Sequence, residues 1–336
     1  MMISDTSDLT KLLIFQDRSD FLNAKITNLS QELVTGRLAN LGQDRTAHIP
    51  RIQYLEHQFE VISAYETVQQ DANSYFDQVD LSIEKMQKQV QDVGQTLFQS
   101  IGSNAQTPIA KTEKLTLTLT LFENLISALN RNSPSGFLFS GSKTTQAPFP
   151  KAKDIVDQIK SFSSGSVSKA ELVDKLDEWF DGPSSIFQRE IYKGSQTGIK
   201  SFQISPDMSA QLELRANDLR FRNLLKSAAL AVVATTGTIS KNEQKNALEF
   251  AAEGLLSAND VLIEIRAGLG SLKEQIENQA THDIAQLESF KQSYNDLTNA
   301  DPYETATDLK SAENQLERLY LLTSQLTKLS FMDFFE

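Results

Sequence analysis

The sequence predicts a mainly α protein: long antiparallel coiled-coil helices from both termini forming a rod, with a small α+β insert domain in the middle. Three observations predict it. Apolar residues recur in alternating steps of three and four near both ends, the repeat of a helix that packs on another helix. The fourteen glycines and eight prolines are few for 336 residues, and they cluster, which leaves long uninterrupted stretches. Between about 151 and 236 the texture changes to capping signals, short β-type runs and turn residues.

The carboxyl-terminal helix is the clearest element. In Asp301-Pro302-Tyr303-Glu304, Asp301 can accept orphan N–H groups of a first turn. Pro302 loses no hydrogen bond at the first helical position, and Glu304 faces the positive end of the dipole. Leu309, Ala312, Leu316, Leu319, Thr323 and Leu326 then alternate between the two step lengths. The chain closes on Leu329, Phe331, Met332, Phe334 and Phe335. Leaving so many large apolar side chains in water is costly, so this end is built to be covered.

The amino-terminal half mirrors it. Residues 1–7 lack periodicity and read as a disordered leader, with Ser7 placed to cap a helix from Asp8. Phe15, Leu22, Ile26, Leu29 and Leu33 share heptad-compatible spacing up to Thr35-Gly36. A loop follows through Asn40, Gly42 and Pro50. A second stripe runs from Ile52 to Leu97, with one break in register at Tyr75-Val79-Ile83, and Gly102 stands where a helix-ending glycine belongs. About 50 residues at ~1.5 Å each make a rod of roughly 75 Å, which must lie beside other rods. Thr107-Pro108 restarts a helix carrying Leu115, Leu119, Phe122, Leu125, Ile126 and Leu129. The Leu/Thr alternation from Leu115 to Leu121 also fits a strand, but both flanks continue at helical spacing.

These patterns divide the chain into a helical rod at 1–150, a small α+β insert at 151–236, and a second rod at 237–336 that pairs with the first. In the insert, a short helix spans about 151–161, and Ser168 with Glu171 forms a capping box for a helix ending at Gly182-Pro183. β-type runs occupy Phe187–Tyr192, Lys200–Ile204 and Gln211–Leu214, and an apolar helix spans about 217–235. The pattern is that of a separate small core. Ser240 and Glu243 form another capping box, and the stripe after it runs from Ala251 to Ile276 and on through Ile284, Phe290 and Leu297.

Chemistry-bearing constellations are sparse. The net charge of −12 argues against a nucleic-acid partner. The one basic run, Arg215, Arg220, Arg222 and Lys226, reads as a salt-bridged helix face. The absence of cysteine excludes disulfides, thiolate chemistry and cysteine-ligated zinc. No apolar run of ~20 residues offers a membrane span, and residues 1–20 lack the layout of a cleaved secretory signal. His48, His57 and His282 stand at polar positions without metal-ligand spacing. The stretch Gly136 to Thr144 imitates a phosphate-binding loop, but Ser142 separates Gly141 from Lys143 and no buried strand precedes it. No catalytic, cofactor or metal site is expected, and the chain reads as a non-enzyme.

Three stretches carry a resemblance. Leu22 to Asn40, with Leu29-Ser-Gln-Glu-Leu-Val-Thr-Gly-Arg37, is similar to the amino-terminal helix and Thr-Gly-Lys/Arg turn of the bacterial flagellin superfamily. Gly136-Phe-Leu-Phe-Ser-Gly-Ser-Lys-Thr144 with Pro148-Phe149 resembles the segment that precedes that family's variable domain. Leu316 to Phe335, closing on Leu329-Ser-Phe-Met-Asp-Phe-Phe335, looks like the end of the family's hook-associated proteins, which join hook to filament. The family's Asp-Asp-Pro after the turn is replaced by Gln43-Asp44-Arg45 through Pro50.

The resemblance implies a structural subunit of the flagellum that assembles through its terminal helices. The expected assembly seam is Leu22, Ile26, Leu29 and Leu33 on the first helix and Leu309, Leu316, Leu319 and Leu326 on the last. It continues through Leu329, Phe331, Phe334 and Phe335. The implied partners are other copies in a helical or ring assembly, another hook-associated protein, flagellin and an export chaperone. No nucleic acid, no cofactor and no membrane insertion are implied. The implied location is extracellular, reached by the flagellar type III route without a cleaved signal. Two alternatives stay open: a filament-forming flagellin, and a non-flagellar coiled-coil adaptor or signalling rod.

Overall fold

The structure is a computed structural model that describes residues 4–40, 46–102, 108–182, 185–236 and 239–335; side chains of 4–9, 11–12, 46, 101–102, 108–111 and 326–335 lie outside the description. The described helices are α1 (Ser4–Thr35), α2 (Ile49–Gly102), α3 (Pro108–Leu129), α4 (Ala152–Phe162), α5 (Lys169–Asp181), α6 (Leu219–Thr236), α7 (Lys241–Thr298) and α8 (Pro302–Phe335). A 3-10 turn at Thr46–His48 precedes α2. The described strands form two antiparallel pairs, β1 (Asn132–Ser133) with β2 (Gly136–Phe137), and β3 (Lys200–Ser205) with β4 (Met208–Leu212). With 77 % of the chain helical, the fold is mainly α.

Helix ends follow their capping chemistry. The Asp301 carboxylate accepts the N–H groups of Tyr303 at 2.8 Å and Glu304 at 3.2 Å. Ser168 Oγ accepts the Glu171 N–H at 3.3 Å, while the Glu171 carboxylate reaches back to the Val167 N–H at 2.9 Å. Ser240 caps Glu243 in the same way, but the Glu243 carboxylate crosses to the first N–H of α5, at Lys169, 2.6 Å away. The 115–121 alternation lies wholly within α3, as the flanking periodicity indicates.

Three local expectations are corrected. The helix expected from Asp8 already begins at Ser4, so the non-periodic leader covers less chain than its sequence suggests. Phe187–Ile191 is a π-helical turn and not a strand; the Tyr192 N–H donates to the Phe187 carbonyl at 2.8 Å. Its apolar residues serve an aromatic cluster instead, with Phe187 against Phe149, Trp179 and Phe180. The strand expected at Gln211–Leu214 is displaced to Met208–Leu212, because a turn at Pro206-Asp207 sets its register against β3.

The chain divides into two compact units, Met1–Ser63 with Asp283–Glu336, and Ala64–His282. In the larger unit, Val79, Ile83, Met86 and Val90 of α2 and Leu255, Leu262 and Leu269 of α7 belong to one apolar core. Outside that seam, Arg266 Nε donates to the Asp80 carboxylate at 2.8 Å, and Lys273 pairs with Asp77. The run 151–236 does not close on itself. Its Ile155, Trp179, Phe221 and Leu225 join the same core as Phe76, Leu125 and Leu255. Phe202 of β3 packs its ring on Tyr75 and Phe76 of α2, and Gln69 Nε2 donates to the Ile204 carbonyl at 2.8 Å.

The Gly136–Thr144 loop is structural. Gly136 has φ +101°, and a Cβ there would stand 2.5 Å from the Thr144 carbonyl oxygen, so only glycine fits the turn. The backbone of Phe139 and Ser140 accepts the N–H groups of Ala216 and Ser195, and Ser142 donates to Thr197. These backbone groups tie down neighbouring segments, and Lys143 points to solvent. The basic run is ion-paired, Arg222 with Asp181, Lys226 with Asp177 and Asp181, and Arg220 with Asp218.

Burial raises the Tyr75 phenol from 10.0 to about 12, while its hydroxyl donates to the Leu138 carbonyl at 3.0 Å. Burial does the same to Tyr192, against an opposing pull from Arg215. The folded chain holds these protons more tightly than the unfolded chain, so their contribution is intact below pH 10.0 and is lost as pH rises towards about 12. Urea melts should show constant stability up to pH 9 and a falling midpoint above pH 10, and Tyr75→Phe should flatten that fall. A midpoint that is level through pH 11 would contradict this.

Candidate assembly surface

In the smaller unit α1 packs along α8, and its stripe decides how. Contacts move backwards along the carboxyl end as they move forwards along α1: Ser19 with Tyr320, Lys25 with Asp308, Arg37 with Asn299. The two helices are therefore antiparallel. Leu22 is 2 % exposed and Leu319 is 9 % exposed, with Ala312 buried between the larger residues. Ile26, Leu29, Leu309 and Leu316 are half-buried. Leu33 is instead exposed at 44 %, because Glu32 takes the inward position beside it. Leu326, Leu329, Phe331, Phe334 and Phe335 lie where side chains are outside the described residues.

The Thr35-Gly36-Arg37 turn stitches the two ends of the chain together. Gly36 adopts φ +70°, a left-handed value that ends α1, and its N–H returns to the Glu32 carbonyl at 2.7 Å. Its own carbonyl accepts the Ala300 N–H at 3.0 Å, and the Leu38 N–H donates to the Thr298 carbonyl at 2.9 Å. The buried Glu32 carboxylate accepts the Ala39 N–H at 2.9 Å. Nothing in the apolar spacing points to Glu32; a lone acid in a leucine stripe just before Thr-Gly is the only signal. The substituted Gln43-Asp44-Arg45 lies outside the described residues.

In the same unit, Tyr54 meets Phe290 and Phe59 meets Tyr294 edge to face. Tyr294 donates to the Glu56 carboxylate at 3.2 Å. Its phenol is raised, first by burial and then by that carboxylate.

Once α1 and α8 have covered each other, a second apolar face is left. It comprises Leu13, Ile14, Phe21 and Val34 on α1, and Tyr303, Leu321 and Leu322 on α8, with the Arg18 guanidinium 5.1 Å from the centre of the Phe21 ring. Val34 is 86 % exposed and Tyr303 is 84 % exposed. An apolar face of this kind marks a contact site. Leu22 and Leu319, read from the stripe, are buried where α1 packs on α8, while the outward face comes from residues beside it. Ile14 and Phe21, one heptad apart, are the signal that could have revealed it. No group of acids and histidines that could hold a metal occurs among the described residues. No described helix is long and apolar enough to cross a membrane.

Comparison with known proteins agrees with this geometry. Residues 254–335 match the family model of the bacterial flagellin C-terminal helical region. A Vibrio parahaemolyticus protein described as flagellar hook-associated superposes with a TM-score of 0.56 at 11 % identity, over 76 % of this chain and 99 % of that one. FlgL of Bacillus cereus superposes with a TM-score of 0.51 at 11 % identity, over 72 % of this chain and 99 % of that one. No curated protein matches.

Proposed function

We infer, from the match of residues 254–335 to the bacterial flagellin C-terminal helical region, a structural role at the junction between hook and filament. The observation that carries this is the paired terminal helices with a second, unpartnered apolar face. A helix pair already satisfied within one chain leaves Val34 and Tyr303 almost fully exposed, and covers Phe21 only with the Arg18 guanidinium. Identical copies related by a repeated rotation and translation would cover them, since such a head-to-side contact propagates and does not close as a dimer. The closing Leu-Ser-Phe-Met-Asp-Phe-Phe favours the junction position over the filament itself. On this reading the protein is exported by the flagellar type III route with the help of a chaperone. It meets another hook-associated protein on one side and flagellin on the other. Its role is mechanical and not catalytic.

Deleting the gene should leave hooks without filaments and flagellin shed into the medium. Gold-labelled antibody against this chain should mark a single band at the distal end of the hook. Label along the whole filament, or long filaments grown from the pure protein alone, would assign it to the filament instead.

A further inference from the structure

A polar groove of about 410 Å³ lies between α2 and the end of α3 in the larger unit. Lys85 and Gln89 line it from α2, one helical turn apart, and Asn124, Ser127 and Arg131 line it from the α3 side at steps of three and four. Among the described residues, none of these five side chains makes a hydrogen bond or an ion pair within the chain. Several other cations of this unit are already engaged. Arg266 and Lys273 are held by Asp80 and Asp77, and Arg222 and Lys226 by Asp181. Lys200 sits over the rings of Tyr75 and Phe202. In a chain with 44 acidic and 32 basic residues, this groove brings two unpaired cations together with three unpaired polar side chains.

We propose that this groove binds a small polyoxygenated anion, with Lys85 and Arg131 holding its charged groups and Gln89, Asn124 and Ser127 donating to its oxygens. Guanidinium and ammonium groups make charge-assisted bonds to carboxylate or phosphate oxygens, about twice as strong as neutral ones. The volume is that of a small-molecule site. The lining carries amides, a hydroxyl and cations and no aromatic ring, which suits an oxyanion and not an apolar ligand. Carboxylate and phosphate offer the same oxygens, so two probes separate them.

The test is titration calorimetry of the full chain with citrate and, separately, inorganic phosphate, at fixed ionic strength set with chloride. One-to-one saturable binding of at least one anion is the expected result; the anion that binds identifies the group as carboxylate or phosphate. Lys85→Gln with Arg131→Gln should weaken it about tenfold or more and melt like the wild type, since neither side chain has a partner to lose among the described residues. Lys153→Gln with Lys245→Gln removes the same charge from exposed positions elsewhere and should bind as the wild type does. Absence of saturable binding by both anions overturns the proposal. So does equal weakening in both double variants, which would mean a general charge effect. Masking of Lys85 from acylation only at concentrations where the chain associates would also overturn it, and would assign the groove to a second copy.

Discussion

Leu22→Asp combined with Leu319→Asp should separate α1 from α8 and abolish attachment of the filament. Both side chains are buried in the one seam that holds the termini together. Each change removes apolar burial of about 1.5–3 kcal/mol. Each also places a carboxylate with no partner among leucines, at a further cost of several kcal/mol after relaxation. A combined loss well above 3 kcal/mol is more than ~10²-fold in the population of the paired state. Limited proteolysis should then cut within 10–40 and 302–325, regions that the intact helix pair should protect. Flagellin should be shed into the medium while this chain is still secreted. Glu313→Gln with Glu317→Gln, exposed on the same helix, is the matched control and should stay within about 0.5 kcal/mol of the wild type. Full-length filaments on the double aspartate variant would show that the antiparallel pair is not needed for assembly.

Deleting 151–236 and bridging the ends with a short Gly/Ser linker should abolish cooperative folding of the larger unit. The run supplies Trp179, Phe180, Phe187 and Phe221, all buried in the core shared with α2, α3 and α7. Losing one such aromatic costs about 3–5 kcal/mol. A domain has only about 5–15 kcal/mol in total, so losing four is as large as the whole reserve. The shortened protein should show a broad thermal transition by circular dichroism and bind a dye for exposed apolar surface. A sharp transition within a few degrees of the wild type would mean that the rods carry their own core.

That outcome turns on what the sequence could and could not show. Helices were legible because their signals are local. The Asp301-Pro302 cap, the Ser168 and Ser240 caps and the Gly36 stop each act within one turn of the residue that makes them. The Leu22 and Leu319 stripes were legible because a helix repeats its buried face at fixed steps. What was not legible depends on distant partners. Phe187–Tyr192 reads as a short β-type run, but the aromatic cluster around Trp179 takes its apolar residues as a π turn. The core that 151–236 joins was not legible for the same reason. Its capping signals mark helices correctly, yet capping says nothing about which neighbour a helix buries its face against. Phe202 on Tyr75 and Gln69 on Ile204 are contacts across more than a hundred residues. The outward face of α1 was hidden by the stripe beside it, since Phe21 and Leu22 are adjacent in sequence and differ only in what covers them.

The central claim is that the second apolar face of α1 and α8 is covered by neighbouring copies. The chain has no cysteine, so one introduced thiol reports on one position. Phe21→Cys places it on that face, and Lys153→Cys places it on exposed α4 in the larger unit. Alkylation rates would be measured on secreted monomer and on purified hook–filament junctions. Phe21→Cys should react as fast as Lys153→Cys in the monomer and at least about tenfold more slowly in the junction, as burial of a contact residue requires. Equal rates at Phe21→Cys in both states, with junctions intact, would contradict the claim.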